Sequence, residues 1–370
     1  MRFGLIHEAT VPHGTTHHRR YKEMIDEIVL AEEMGFDFWG SSEQHFLRDF
    51  GMGATEVFYG TVAAHTSRIK LRHMVRLLIK FNHPLRIAEQ LATLDLVSDG
   101  RAEFGTGRSN SIITMDAMGV DPTETRAQWN ESLDFIVQAM TEEQVEFHGK
   151  YWDMKTPVYL TPKPLQNPHP PIYVATTSLE MHKIAGEKGI GAMAWDSYFG
   201  WDYAEECARI YQKEIAAPTK QVGKFVTNSL SFLVLPAYCA ETKKDAMEQG
   251  GPTTIEFFHA VIEIYKNLAK RSPDYKYMDQ IEKIQSHIND IDYVQSTTPG
   301  LMVGTPDYFI EQITRLQALG YDEVILRLDG IMKHEELMRS IELIGKYVIP
   351  TFKSPNNIVT GGLLDVAALA

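Results

Sequence analysis

Residues 41–46, SSEQHF, set a carboxylate, an amide and an imidazole in succession at Glu43, Gln44 and His45, directly after the apolar run GFDFWG. A carboxylate and an imidazole can hold or move a proton, whereas an amide only orients a partner by hydrogen bonding. Similar polar groups follow other apolar runs: His7 and Glu8 after RFGLI, Thr176, Thr177 and Ser178 after PIYVA, and Trp195 and Asp196 after GAMA. The stretch EFGTGRSN adds Gly105, Gly107, Arg108 and Asn110. Its glycines admit close backbone approach, and a guanidinium matches the oxygens of a phosphate dianion. It is neither a P-loop nor a full G-x-G-x-x-G motif, and a tight turn with a surface salt bridge explains the same residues. The hydroxyls of ATTS suit an anion at a helix N-terminus or an ordinary N-cap. His45 reads either as a group at a pocket rim or as a structural ring bonded to backbone. His13, His17 and His18 cluster in HGTTHHRR, but no carboxylate stands by to orient a ligand set, so no metal site is expected.

For these groups to meet, the runs before them must lie side by side and point the same way, as they do at the mouth of a barrel. The chain alternates β-rich runs with helical patterns, the signature of parallel strands joined by crossover helices. RFGLIHEA, FDFWGSS, IKLRHMVRLLI, RAEFGTG, PIYVATT, GAMAW, FVTNSLSFLVL and YDEVILRLD read as eight strands. Helix one is expected to stop at Gly35 and helix three to start at Pro84. The count favours an α/β (β/α)₈ TIM barrel over an open doubly wound sheet. About 240–299 breaks the rhythm and reads as an insertion after strand seven, within a single domain over 1–353 that leaves a tail at 354–370. The proline-rich stretch FHGKYWDMKTPVYLTPKPLQNPHPP has little helical periodicity, yet Tyr151, Trp152 and Tyr159 give it surface to pack, so an ordered loop is expected.

With 370 residues and 44% apolar content the chain can bury a large core. A net charge of -13 with no basic block argues against a nucleic-acid partner. The two cysteines, Cys207 and Cys239, lie in different segments, which fits a reducing, cytoplasmic setting without disulfides. No apolar run approaches the ~18 residues of a membrane helix, and no signal peptide is read in MRFGLIHEAT.

The pieces SSEQHF, HPLRIAEQLATLDLVSDGRAEFGTGRS, PIYVATTS, AMAW and VGTPDYFIEQI, in this order, resemble the bacterial luciferase-like flavin-dependent monooxygenase family from about Arg2 to Phe352. The resemblance implies a barrel using reduced FMN delivered by a separate flavin reductase, O₂ and a small organic substrate, oxygenated through a C4a-(hydro)peroxyflavin. It also implies a homodimer. His45 matches the second of the family's paired histidines, and His45 and Gln44 are the candidates for catalytic roles, stabilising the peroxide by hydrogen bonds. Glu43 matches the acidic residue after strand two, Arg108 the arginine on the flavin phosphate, and Trp195 an aromatic near the isoalloxazine. Thr176 and Thr177 stand where a Glu–Ser pair lies beside the phosphate and ribityl chain, and Asn110, at the end of strand four, is a further candidate contact to the cofactor. Val75 and Arg76 align with a non-proline cis peptide under the ring.

Three departures stand out: Gln44 replaces a histidine base, Gly107 a cysteine, and Arg76 a small residue, which speaks against a cis bond there. Light emission from a long-chain aldehyde is therefore not expected. Rival readings are a deazaflavin-dependent hydride transferase, a non-catalytic flavin-binding subunit and a metal-dependent barrel hydrolase. The insertion is expected to cap the pocket, with Phe257, Phe258, Ile262 and Tyr265 lining a substrate tunnel or packing in the core.

Overall fold

The computed structural model describes residues 1–48, 51–195, 199–275 and 286–353; Asp196 and the tail lie outside this set. Strands β1 (Arg2–His7), β2 (Phe38–Ser41), β3 (Lys70–Arg72), β4 (Arg76–Leu77), β5 (Ala102–Gly107), β6 (Ile172–Thr176), β7 (Gly191–Ala194), β8 (Leu230–Val234) and β11 (Glu323–Arg327) form one parallel sheet. Its order is β3-β2-β1-β11-β8-β7-β6-β5-β4, and pairing of β3 with β5 closes it. Because β3 and β4 are two pieces of one barrel position, the closed structure has eight, as the strand count implies.

Local chemistry sets the connecting helices. Thr16 accepts the Arg19 N–H at 3.2 Å to cap α1 (His17–Glu33), and Gly35, at φ +89°, ends it in the left-handed region. After α2 (Thr55–His65), Pro84 opens α3 (Pro84–Val97) where its missing N–H is not needed. A short α4 (Ile112–Ala117) precedes α5 (Thr125–Thr141), while α6 (Leu179–Glu187) and α7 (Trp201–Ile215) follow β6 and β7.

Strand three is not the continuous run the sequence suggests. It breaks between β3 and β4, and the cis peptide lies at Met74–Val75, one bond before the position implied by resemblance; bulky Arg76 is not part of it. The proline-rich loop is ordered: the Glu131 carboxylate accepts the backbone N–H groups of Lys150, Tyr151 and Trp152 at 2.7–2.9 Å, and Trp152 is buried.

The barrel interior has an ionic floor and an apolar middle. At the amino ends of the strands, Arg72 is fully buried between the rings of Phe38 and Tyr173, 3.9 and 3.7 Å from their centroids. It bonds Glu103 at 2.6 Å and Glu323 at 2.5 Å, and Arg2 joins both carboxylates. Above it pack Ile6, Met74, Met193, Leu233 and Ile325.

The insertion leaves through β9 (Ala237–Cys239) and returns through β10 (Met302–Gly304), which pair in parallel. Between them runs α8 (Lys243–Ala269), which carries Pro252 inside it. Burial of Ala246, Phe258, Val261, Ile262 and Leu268 on one side outweighs the local cost of that proline. Among the described residues, no helix is long and apolar enough to cross a membrane.

Candidate functional site

An open cleft, about 680 Å³ with the solvent at its mouth included, lies at the carboxyl ends of β2 and β4 to β7. Ser42, Glu43 and Gln44 line it from β2, Met74, Val75 and Leu77 from the broken strand, and Gly107 to Asn110 from β5. Ala175, Thr177, Met181, Trp195 and Tyr275 complete the wall.

Glu43 ties these segments together. Its carboxylate accepts the Leu77 N–H and an Asn82 N–H, both at 2.9 Å, and lies 3.2 Å from Arg76 Nη1 and 3.1 Å from His45 Nε2. Burial by itself would raise this carboxyl, but His45, Arg76 and the two N–H groups together hold it below its ordinary value. His45 stands behind Glu43, edge-on to Phe81 at 5.4 Å, and does not line the cavity. Gln44 does, and its amide donates to Asn110 Oδ1 at 3.2 Å, linking the β2 and β5 loops.

Alternation along the strands splits two residue pairs. Val75 faces the cavity, whereas Arg76 reaches out between α2 and α3 to Thr55 (3.2 Å) and Gln90 (2.9 Å). Thr177 faces the cavity, whereas the Thr176 hydroxyl lies 3.0 Å from His182 Nε2 in the core. Burial drives the His182 ring down to about 4. Ser178 is the N-cap of α6, its hydroxyl accepting the Met181 N–H.

Arg108 is nearly buried and its Nη1 lies 3.1 Å from Asp274 Oδ2. Arg126 Nε approaches the same oxygen at 3.0 Å, and its Nη1 meets Glu180 at 2.7 Å. The Tyr275 ring covers the Arg108 guanidinium at 4.6 Å. Strand-end reasoning missed Arg126 and Tyr275, because one sits in a helix and the other beyond α8; no local pattern marks either. At the far wall the buried Trp195 Nε1 has no hydrogen-bond partner among the described residues.

Phe258 and Ile262 are core residues. Phe257 instead lines a second cavity of about 720 Å³ beside Thr10, Thr253 and Arg327, with Arg327 4.3 Å from its ring centroid. The Tyr265 side chain lies outside the described set. Between the two cavities, burial raises the Glu8 carboxyl, which Ser42 meets at 3.3 Å and Arg327 at 3.0 Å.

The chain is similar over its length to known enzymes. It is 22% identical over 355 residues, 95% of this chain and 96% of the relative, to the oxygenase component of flavin-dependent trigonelline monooxygenase of Acinetobacter baylyi. It is 32% identical over 234 residues, 60% of this chain and 67% of the relative, to the F420-dependent glucose-6-phosphate dehydrogenase of Kineococcus radiotolerans. An uncharacterized Sinorhizobium fredii protein is 29% identical over 176 residues, and there the chain spans about half (51%) of the relative's length. Among solved structures, the oxygenating constituent of 3,6-diketocamphane monooxygenase of Pseudomonas putida, in complex with FMN, superposes with a TM-score of 0.75 at 22% identity, covering 95% of this chain and 98% of that one. The family model described as luciferase-like monooxygenase matches residues 1–323, and the chain belongs to that family.

Proposed function

We propose that the protein is the oxygenase of a two-component system that uses reduced FMN and O₂ to insert one oxygen atom into a small organic substrate. The observation that carries this reading is Arg108 in the lining of a cavity shared with Met74, Val75 and Trp195, with a second guanidinium, Arg126, meeting it at one Asp274 oxygen. The residues fit the cofactor. Charge-assisted bonds from paired arginines suit a terminal phosphate. The apolar lining of Met74, Val75 and Trp195 suits a ring system, and the indole N–H, without a partner among the described residues, is open to an acceptor. A Cβ on Gly107 would come within 2.4 Å of Val75 Cγ2, so glycine keeps this wall low.

When bound, reduced FMN supplies the electrons that split O₂, one atom passing to the substrate and the other leaving as water. The chain does the rest. Arg108 and Arg126 hold the phosphate, Asn110 and Thr177 offer hydrogen bonds along the chain joining it to the ring, and Val75 and Trp195 position the ring. Gln44 presents an amide to the reacting groups and cannot exchange a proton there. His45 acts through Glu43 as a positioning residue, and Arg76 and Thr176 support the wall from behind. Tyr275, carried by the insertion, covers Arg108 in the cavity wall before the cofactor binds. A separate reductase is the expected partner, in keeping with the relative named as an oxygenase component.

A second reading, hydride transfer with a deazaflavin, is favoured by the relative that is 32% identical. Anaerobic titration with reduced FMN and with reduced deazaflavin cofactor, followed by ¹⁸O₂ and trial substrates, separates the two. Tight FMN binding with label in the product is expected; binding of the deazaflavin alone, without label, overturns the proposal. Arg108→Ala should weaken FMN binding by about 1.5–3 kcal/mol, and an unchanged affinity removes Arg108 from the phosphate.

A further inference from the structure

The arginine pair already has an anion. One Asp274 oxygen, Oδ2, serves Arg108 at 3.1 Å and Arg126 at 3.0 Å, the arrangement a phosphate oxygen would adopt between two guanidinium groups. Asp274 does not belong to the barrel. It lies in the turn Ser272–Tyr275 after α8, and its side chain is partly exposed. The next residue pins that turn over the cavity: the Tyr275 hydroxyl donates to the Ser109 carbonyl at 3.2 Å and lies 3.1 Å from Thr125 Oγ1, while its ring covers Arg108. With Glu180 on Arg126, two cations face two carboxylates and the set is balanced. A terminal phosphate monoester brings nearly two negative charges and three acceptor oxygens, against the single oxygen that Asp274 offers.

We propose that Asp274 is a built-in substitute for the cofactor phosphate. It keeps Arg108 and Arg126 paired and the Ser272–Tyr275 turn docked until a phosphate monoester takes its place and frees the turn. Docking of the turn and binding of phosphate then oppose each other by the same factor, as linkage requires. The exchange of anions follows from the geometry of the pair; only the identity of the group bearing the phosphate rests on the flavin reading above.

The test is to titrate the full-length protein and its Asp274→Asn variant with FMN, riboflavin and inorganic phosphate, by flavin fluorescence and calorimetry. Amide hydrogen exchange is followed at Tyr275, whose N–H donates to the Ser272 carbonyl at 3.1 Å. FMN and phosphate should bind the variant at least about tenfold more tightly, the range for a charged hydrogen bond. Riboflavin should bind both proteins alike, which also reports that the variant is folded, and Asp274→Ala should behave as Asp274→Asn. In the unaltered protein, phosphate should speed exchange at Tyr275. Equal or weaker affinity of the variants for FMN and phosphate, or slower exchange on adding phosphate, overturns the proposal. If phosphate binding depends on Asp274 while neither flavin binds, the anion exchange stands and the flavin reading falls. If both flavins bind with no regard to residue 274, the reverse holds.

Discussion

Glu43 shows how much one buried carboxylate can organise. Its partners come from the β2 loop (His45), from β4 (Arg76 and the Leu77 amide) and from the turn before α3 (Asn82), so it joins three segments around the cavity. Replacing it by Gln leaves Arg76 short of its buried counter-charge, and breaking such a pair costs about 3–5 kcal/mol. Urea unfolding of Glu43→Gln should show a loss of this order at neutral pH. The pH dependence has a definite sign. The folded carboxyl sits below its ordinary value of 4.5, so its stabilisation is fully present above that value and is lost as pH falls through the lower folded one. The gap between the two proteins should therefore close in acid. A gap that stays constant would show that Glu43 acts by shape and not by charge.

At the level of elements, the cavity depends on how closely β5 approaches the break between β3 and β4. Gly107→Ala would bring a methyl group to 2.4 Å from Val75 and force one of the two strands to move. We expect a stability loss of about 1–3 kcal/mol from overpacking together with weaker FMN binding, measured by thermal melts and titration. Normal binding at reduced stability would place the ring away from Val75. The strand ends and the helix boundaries at Gly35 and Pro84 were legible in the sequence, because period, caps and breakers are local signals. Side-chain direction was legible in principle, since a period of two puts Arg76 opposite to Val75 and Thr176 opposite to Thr177; position-by-position resemblance placed all four together. GGP reads locally as a breaker, yet it lies inside α8, where burial along the helix decides. The contact between Arg126 and Asp274 spans 148 positions, and nothing local announces it.

For the molecule as a whole, the ionic floor and the cavity stand at opposite ends of the same barrel. Arg72 at the floor is fully buried, and its two carboxylate partners come from β5 and β11, so it braces the barrel across its interior. Arg72→Met should cost about 3–5 kcal/mol by leaving those carboxylates without their central cation, yet leave FMN affinity unchanged in the protein that remains folded. Unfolding and flavin titration on one preparation check both halves; a parallel loss of affinity would mean that the floor shapes the mouth. The insertion has a different relation to the barrel. Its outgoing and returning chains are neighbouring strands, with Ala237 opposite Met302 and Cys239 opposite Gly304. However long the excursion, its two ends stay one strand spacing apart. A cassette anchored in this way is expected to tolerate a change of length without shifting the scaffold beneath, a tolerance that thermal melts of shortened variants would check.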